Sequence, residues 1–249
     1  MRLIDRIRAV AFDLDGTLVD TAPDLAAAAN VMLAAFGLAP VSQARIGAFI
    51  GRGVEQLVAG AFAEAAGRGA SPDELSTAID RFSQSYARGL FDRGRVYPDV
   101  VDGLRSLAAT GLKLACVTNK DCRFTLPLLD AAGLAEWFAL VLCADSPELR
   151  KPAPDLLLAA CRHFRVSPHK LLYVGDSCID IAAARAAGCP VAVVNYGYGD
   201  GISLEDGSPD WVIDRIAGLT RLKAKQRLAK SEPGRENRCS PIARRSPSS

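Results

Sequence analysis

Two aspartates one residue apart, Asp13 and Asp15, follow the short apolar run Ala9–Phe12 and precede Gly16. The run is typical of a buried strand, and the glycine is typical of a tight turn after it. Because residues i and i+2 of a strand point to the same side, we expect both carboxylates to approach one ligand. Two close negative charges repel each other unless a cation lies between them. Oxygen ligands suit Mg²⁺, so the spacing predicts a magnesium-dependent site for phosphoryl transfer.

An Asp-x-Asp-Gly sequence by itself is also typical of an ordinary Asx turn that closes a strand. Further polar groups follow later apolar or helical patterns: Val117-Thr118-Asn119-Lys120, Lys151-Pro152, and Gly175-Asp176-Ser177 with Asp180. Together with Asp13-x-Asp15-Gly16-Thr17, they resemble the four ordered motifs of the haloacid dehalogenase-like hydrolase superfamily. The resemblance covers roughly residues 8–220. It implies a hydrolase of that superfamily.

Strand-like runs alternate with helical patterns from residue 96 onward, which predicts an α/β fold with a doubly wound parallel sheet and a Rossmann-like core. The expected strands after the first are Leu112–Val117, Phe138–Cys143, Leu171–Gly175 and Pro190–Val194. Ligands of such sheets bind at the carboxyl ends of the strands, and Asp13, Thr118 and Asp176 each follow a different predicted strand. The resemblance adds that the first strand lies between those ending in Thr118 and Asp176.

Residues 21–95 show helical patterns and no strand pattern, which predicts an inserted all-helical cap. Thr21-x-x-Asp24 is expected to cap the first helix, Ala26–Phe36, and the later helices are Val54–Ala66 and Ser71–Arg88. The predicted domains are an α/β catalytic core over residues 1–20 and 96–226, the cap over 21–95, and a basic tail over 227–249. The tail is rich in Ser, Pro and Arg and is expected to be disordered.

The composition is that of a soluble globular protein, with 49% hydrophobic and 23% charged residues among 249. No apolar stretch reaches the roughly 18 residues of a membrane span, so we expect a cytoplasmic protein without a membrane partner.

The seven cysteines show no disulfide or zinc spacing, and Cys143 is expected to pack as a free thiol. Residues 221–249 contain nine Lys or Arg and two Asp or Glu. A solvated tail is expected rather than a polyanion-binding arm, and no nucleic-acid partner.

The resemblance implies a chemical role for three of the motif residues. Asp13 would attack phosphorus and form an aspartyl phosphate. Lys151 would neutralise the repulsion between this carboxylate and the phosphate, together with the metal ion. Asp15 would protonate the leaving alkoxide and then accept a proton from the attacking water. The second aspartate also separates the phosphotransferases from the dehalogenases of the superfamily.

The remaining motif residues are assigned to the phosphate and the metal. Thr118 and Asn119 would hold phosphoryl oxygens, and the metal ligands would be Asp13, Asp15 and Asp176. Asp180 lies four residues after Asp176, about one helical turn away. It would hold a metal-bound water or Lys151, or it would serve only as a first-turn residue that interacts favourably with the helix dipole.

The pattern from Asp13 to Leu25, followed by a helical cap, is most similar to the phosphoglycolate phosphatase family. That similarity implies hydrolysis of 2-phosphoglycolate to glycolate and phosphate, and we expect a monomer or homodimer. Gly51-Arg52-Gly53 before a helix could place Arg52 against the substrate carboxylate, or could be a flexible turn with a solvated arginine. The alternatives are a phosphatase for pyrophosphate, a sugar phosphate or a nucleoside monophosphate, a β-phosphoglucomutase-like mutase, and a non-catalytic binding protein.

Overall fold

A six-stranded parallel sheet lies at the centre of the structure, a computed structural model that describes residues 2–199 and 208–222. In chain order the strands are β1 (Ala9–Phe12), β2 (Val19–Asp20), β3 (Arg95–Val96), β4 (Lys113–Thr118), β5 (Leu140–Cys143), β6 (Leu171–Gly175), β7 (Val191–Val194) and β8 (Trp211–Ile213). The sheet order is β5-β4-β1-β6-β7-β8, and β2 pairs with β3 in a separate antiparallel ladder. The predicted doubly wound parallel sheet is confirmed, with β1 between β4 and β6.

Helices cover both faces of the sheet. In chain order the helices are α1 (Ala22–Ala35), α2 (Gln43–Gly47), α3 (Val54–Ala66), α4 (Pro72–Arg88), α5 (Val100–Ala108), α6 (Cys122–Ala131), α7 (Asp155–Phe164) and α8 (Cys178–Ala187). Alternate residues of β1 point to opposite faces, so Val10 packs with α5 and α6 whereas Ala11 packs with α7 and α8. The central strand is therefore buried on both sides, as its continuous apolar sequence requires.

The four helices α1 to α4, here called the cap helices, pack around a hydrophobic cluster of their own. In α4, Ser71 and Glu74 form the predicted capping box. The β2–β3 ladder joins the two chain segments that lead into and out of these helices. The Asp24 carboxylate accepts hydrogen bonds from the backbone amides of Arg93 and Gly94, which ties the start of α1 to the segment after α4.

Several local predictions need correction. The first helix begins at Ala22 rather than Ala26, and the Thr21 side chain makes no capping hydrogen bond. The short helix α2 and the edge strand β8 were not predicted.

Cys143 is not a free thiol, because it forms a disulfide with Cys122 across a Cα–Cα distance of 5.3 Å. Residues 223–226 of the predicted core and the whole predicted tail, 227–249, lie outside the described residues.

None of the helices between residues 2 and 222 that the structure describes combines the length and the apolar character of a membrane span.

Candidate active site

The carboxyl ends of the three central strands bring Asp13, Thr118 and Asp176 to one edge of the sheet. Each follows or ends a strand, and the three strands β4, β1 and β6 are neighbours. The Asp13 amide extends the ladder by donating to the Val174 carbonyl at 2.9 Å. All three polar side chains are buried, so their charges and hydroxyl must be satisfied by neighbouring groups or by a ligand.

Lys151 supplies the positive charge beside these residues. Its Nζ lies 2.9 Å from the Asp13 carboxylate and 2.7 Å from the Asp180 carboxylate, and it donates to the Tyr173 hydroxyl at 2.8 Å. Burial alone would lower the pKa of Lys151, but the two ion pairs raise it above its ordinary value. Lys151 therefore stays protonated and fixed against Asp13. The resemblance assigns Lys151 as the cation beside Asp13, and its catalytic role stays a prediction.

Asp180 combines the two roles that the sequence left open. It stands in the first turn of α8, where it forms a capping box with Ser177. One carboxylate oxygen accepts from the Ser177 hydroxyl at 2.6 Å and from the amides of Ser177 and Asp176, while the other accepts from Lys151. Burial opposes its charge, but Lys151 and these donors hold the pKa of Asp180 below its ordinary value. Asp180 thus anchors Lys151 to the start of a helix.

Three buried carboxylates form a group that could hold a cation. One oxygen from each of Asp13, Asp176 and Asp180 lies within 4.8 Å of the others. Burial first, with the Asp180 charge adding to it, raises the pKa of Asp13 to about 6 despite Lys151. Burial and the charges of Asp180 and Asp13 raise the pKa of Asp176 to about 8. A cation would remove this repulsion, and the all-oxygen donor set fits a hard ion such as Mg²⁺.

The Asp15 side chain, predicted as a metal ligand, does not belong to this group. It accepts from the Lys120 ammonium at 3.1 and 3.2 Å and from the Thr21 hydroxyl at 2.7 Å. The strand ends at Phe12, so the alternation of strand side chains no longer applies two residues later. Asp13 and Asp15 both line one cavity, but they face different lysines.

Gly16 follows Asp15 in a left-handed conformation with φ of 82°. A Cβ atom at this position would lie 2.4 Å from the Asp176 Oδ2 atom. The glycine therefore serves both the turn and the close approach of the turn to the Asp176 carboxylate.

The side-chain amide of Asn119 is not free to bind phosphoryl oxygens, in contrast to the prediction. Its side-chain NH₂ donates to the carbonyls of Gly51 at 2.9 Å and Lys151 at 3.0 Å, and its Oδ1 accepts from the Lys151 amide at 2.7 Å. Both N–H donors are thus used within the protein. Asn119 instead ties the loop before α3 to the loop that carries Lys151.

A cavity opens between the strand ends and the cap helices, with about 410 Å³ of empty space including its open part. Its polar and glycine lining consists of Asp13, Asp15, Gly51, Gly53, Thr118, Asn119 and Lys120, and its apolar lining of Leu25, Ile50, Val54, Leu57 and Phe82. Arg52 is exposed and is not among these residues, although its neighbours Gly51 and Gly53 are, and its predicted contact with a substrate carboxylate stays a prediction.

Lys120 is a residue of the site for which the sequence predicted no role. It follows Asn119 directly, is 7% exposed, and pairs with Asp15. The available signal was a lysine close behind the end of an apolar strand, at the edge of the sheet where ligands bind. A charge at that position has to find a buried partner.

The fold and this arrangement of residues define a class of protein. The family model described as haloacid dehalogenase-like hydrolase matches residues 10–194. The chain belongs to this family.

Individual relatives are more specific. The chain is 44% identical over 216 residues to a protein of Nitrosospira multiformis named phosphoglycolate phosphatase, covering 87% of this chain and 95% of that protein. It is 43% identical to the phosphoglycolate phosphatase of Thiobacillus denitrificans, covering 85% and 93%. The crystal structure of a predicted phosphoglycolate phosphatase from Haemophilus somnus superposes with a TM-score of 0.82 at 35% identity, covering 87% of this chain and 97% of that one.

Proposed function

We propose that this chain is a Mg²⁺-dependent phosphatase that hydrolyses 2-phosphoglycolate to glycolate and phosphate through an aspartyl phosphate on Asp13. The observation that carries the proposal is the buried pair of Asp13 and Lys151, 2.9 Å apart, beside the carboxylates of Asp176 and Asp180. A nucleophile, a fixed cation and a group of metal-binding oxygens at one sheet edge are the components that phosphoryl transfer requires. The names of the relatives support the substrate.

In the first step, an Asp13 oxygen attacks the phosphorus atom and the bond from phosphorus to the ester oxygen breaks. Lys151 and the Thr118 hydroxyl face the phosphoryl oxygens, where they offset the negative charge of the transition state. The glycolate alkoxide takes a proton from Asp15, which lines the same cavity. The products of this step are glycolate and the aspartyl phosphate.

In the second step, water attacks the phosphorus atom of the aspartyl phosphate. Asp15, now ionised, accepts a proton from this water, and Asp13 is released as a carboxylate with inorganic phosphate. Lys120 and Thr21 hold the Asp15 carboxylate through both steps. Asp15 therefore returns to its starting protonation state after one turnover.

Asp13 and Asp176 would hold the metal ion, and Asp180 lies beside them. When bound, Mg²⁺ supplies positive charge that keeps Asp13 ionised and offsets the charge of the phosphate. The carboxylate of Asp15, the third predicted ligand, is held by Lys120 instead.

The raised pKa values predict how stability depends on pH and Mg²⁺. In the metal-free protein, Asp13 and Asp176 have folded-state pKa values of about 6 and about 8, above the ordinary 3.8. The folded state then binds more protons than the unfolded state, so stability falls as the pH rises from about 4 to about 8. We expect saturating Mg²⁺ to raise Tm by roughly 5–10 °C at pH 8 and by less than half of that at pH 5. Thermal unfolding with Mg²⁺ or a chelator measures both shifts.

The control for this experiment is Asp130→Asn, which changes an exposed aspartate of α6 and should keep both shifts. Asp176→Asn should remove the Mg²⁺ effect at both pH values. Equal stabilisation of the wild type at pH 5 and pH 8 would contradict the proposed binding of Mg²⁺ to these carboxylates.

A panel of phosphate compounds tests the proposed substrate. Phosphate release with Mg²⁺ is measured for 2-phosphoglycolate, pyrophosphate, a nucleoside monophosphate and a hexose phosphate. We expect kcat/KM for 2-phosphoglycolate to exceed the others. A higher kcat/KM for another compound of the panel would contradict the proposed substrate but not the proposed mechanism. Isomerisation of the hexose phosphate without phosphate release would indicate a mutase.

Part of the substrate choice is proposed to come from the cap helices, because Asp13, Lys151 and Thr118 are assigned to the phosphate alone. The predicted division into a core over residues 1–20 and 96–226 and a cap over 21–95 is part of this proposal. The cavity supports it, since the apolar lining comes from the cap helices and the loop between α2 and α3.

A further inference from the structure

Lys120 is a buried cation that the steps above use only as a support for Asp15. Its ammonium lies 3.1 and 3.2 Å from the two Asp15 oxygens. On another side it lies 4.6 Å from the centroid of the Tyr86 ring, which belongs to α4. The core lysine is thus enclosed between the predicted acid–base residue and a cap helix.

Tyr86 contributes both an aromatic ring and a hydroxyl group near Lys120. It stacks on Phe82 at 5.8 Å between ring centroids, and Phe82 lines the cavity. The Tyr86 hydroxyl is buried, its oxygen interacts with the Lys120 ammonium, and its proton has no acceptor among the described residues. A buried donor without an acceptor is costly, so a ligand oxygen near Lys120 would also satisfy a group that the protein leaves unpaired.

Lys120 is the one positively charged side chain among the described residues that line the cavity. The other charged lining residues are Asp13 and Asp15, and the rest of the lining is apolar or neutral. Lys151 already contacts the carboxylates of Asp13 and Asp180 and is assigned above to the phosphoryl oxygens. A second anionic group on a substrate would therefore meet two carboxylates unless it lay against Lys120.

The geometry of the proposed reaction puts such a group within reach of Lys120. Asp15 protonates the ester oxygen, and Lys120 contacts both oxygens of Asp15. In 2-phosphoglycolate, a single carbon separates the ester oxygen from the carboxylate. A carboxylate at that distance lies beside the ammonium, which has three N–H donors and can serve two carboxylates at once.

We propose that Lys120 determines specificity by binding the substrate carboxylate while it holds Asp15. The substrates are then small phosphate esters with a carboxylate on the carbon next to the ester oxygen. This inference rests on the proposed function and names the residue that selects its substrate. In this proposal Lys120 binds the substrate carboxylate, a role for which the sequence offered Arg52.

The test compares 2-phosphoglycolate with ethyl phosphate, which has a methyl group in place of the carboxylate. The measured quantity is the ratio of kcat/KM for the two esters, which does not depend on how much of a variant is folded. We expect Lys120→Gln, which keeps an N–H donor toward Asp15 without the charge, to lower this ratio by about 10- to 100-fold. Lys120→Arg keeps the charge and should keep most of the ratio. Lys170→Gln, at an exposed lysine before β6, should leave it unchanged.

The two proposals fail in different ways. If Lys120→Gln slows both esters equally and keeps the wild-type ratio, Lys120 only positions Asp15 and the inference is wrong. A wild type that hydrolyses ethyl phosphate as well as 2-phosphoglycolate would also overturn it, without touching the phosphatase mechanism. A wild type that releases phosphate from neither ester would overturn the proposed function itself.

Discussion

Asp13→Asn is expected to lower kcat for 2-phosphoglycolate by about 10⁴-fold or more. The variant loses the oxygen nucleophile that forms the aspartyl phosphate, and an amide cannot replace it. The fold should survive, because burial and the nearby Asp180 charge make the ionised form of Asp13 unfavourable, with its pKa raised to about 6. Lys151 keeps its second partner, Asp180. We therefore expect the metal-free variant to unfold at pH 8 at a temperature no lower than that of the wild type.

The matched control is Asp130→Asn, the same change at an exposed position of α6. It should retain full activity. Initial rates of phosphate release and thermal unfolding curves, taken on the same samples, separate loss of chemistry from loss of structure. Activity within about tenfold of the wild type in Asp13→Asn would exclude Asp13 as the nucleophile.

Lys151→Met is expected to reduce both stability and activity. It removes the cation from two buried carboxylates, Asp13 and Asp180, and leaves them without compensation. Breaking a buried ion pair in this way costs about 3–5 kcal/mol of unfolding free energy. Loss of the positive charge at the phosphoryl oxygens should lower kcat by roughly 10²- to 10³-fold in the molecules that remain folded.

Denaturant unfolding with and without Mg²⁺ measures the first effect. Because a bound cation would compensate the same carboxylates, Mg²⁺ should restore part of the stability lost in Lys151→Met. Lys170→Met provides the control at an exposed lysine. A Lys151→Met variant as stable as the wild type in metal-free buffer would show that the buried ion pairs do not have the assigned role.

The sequence predicted that Asp13, Thr118 and Asp176 lie at one edge of the sheet, because two independent patterns agree there. Asp13, Thr118 and Asp176 follow apolar runs, and the carboxyl ends of neighbouring parallel strands meet at one sheet edge. Lys151 could not be found in this way, since it lies in a loop after β5 and no periodicity marks it. Its assignment came from the resemblance alone.

Sequence patterns did not predict the hydrogen-bond partners of side chains whose contacts depend on how the loops pack. Asn119 is a polar residue at a strand end, but its partners are carbonyls of two distant loops, at Gly51 and Lys151. Asp15 was assigned by strand alternation, which fails because the chain turns at Gly16. The packing of these turns decides which lysine pairs with each aspartate, and no local sequence pattern predicts that packing.

The disulfide shows the same dependence on three-dimensional neighbours. Cys143 pairs with Thr118 in the ladder between β4 and β5, and Cys122 lies a few residues after Thr118 at the start of α6. The two cysteines are 21 residues apart in the chain and become neighbours only once the order of β5 and β4 is known. Spacing alone therefore gave no indication of the bond.

The most direct measurement traps the covalent intermediate. The protein is mixed with Mg²⁺ and 2-phosphoglycolate, quenched during turnover, and treated with borohydride, which reduces an aspartyl phosphate to homoserine. Mass spectrometry of the peptides then locates the modified residue. We expect homoserine at position 13, present only with substrate and absent in Asp13→Asn. Phosphate release from 2-phosphoglycolate with no modification at position 13, or with modification at another aspartate, would contradict it.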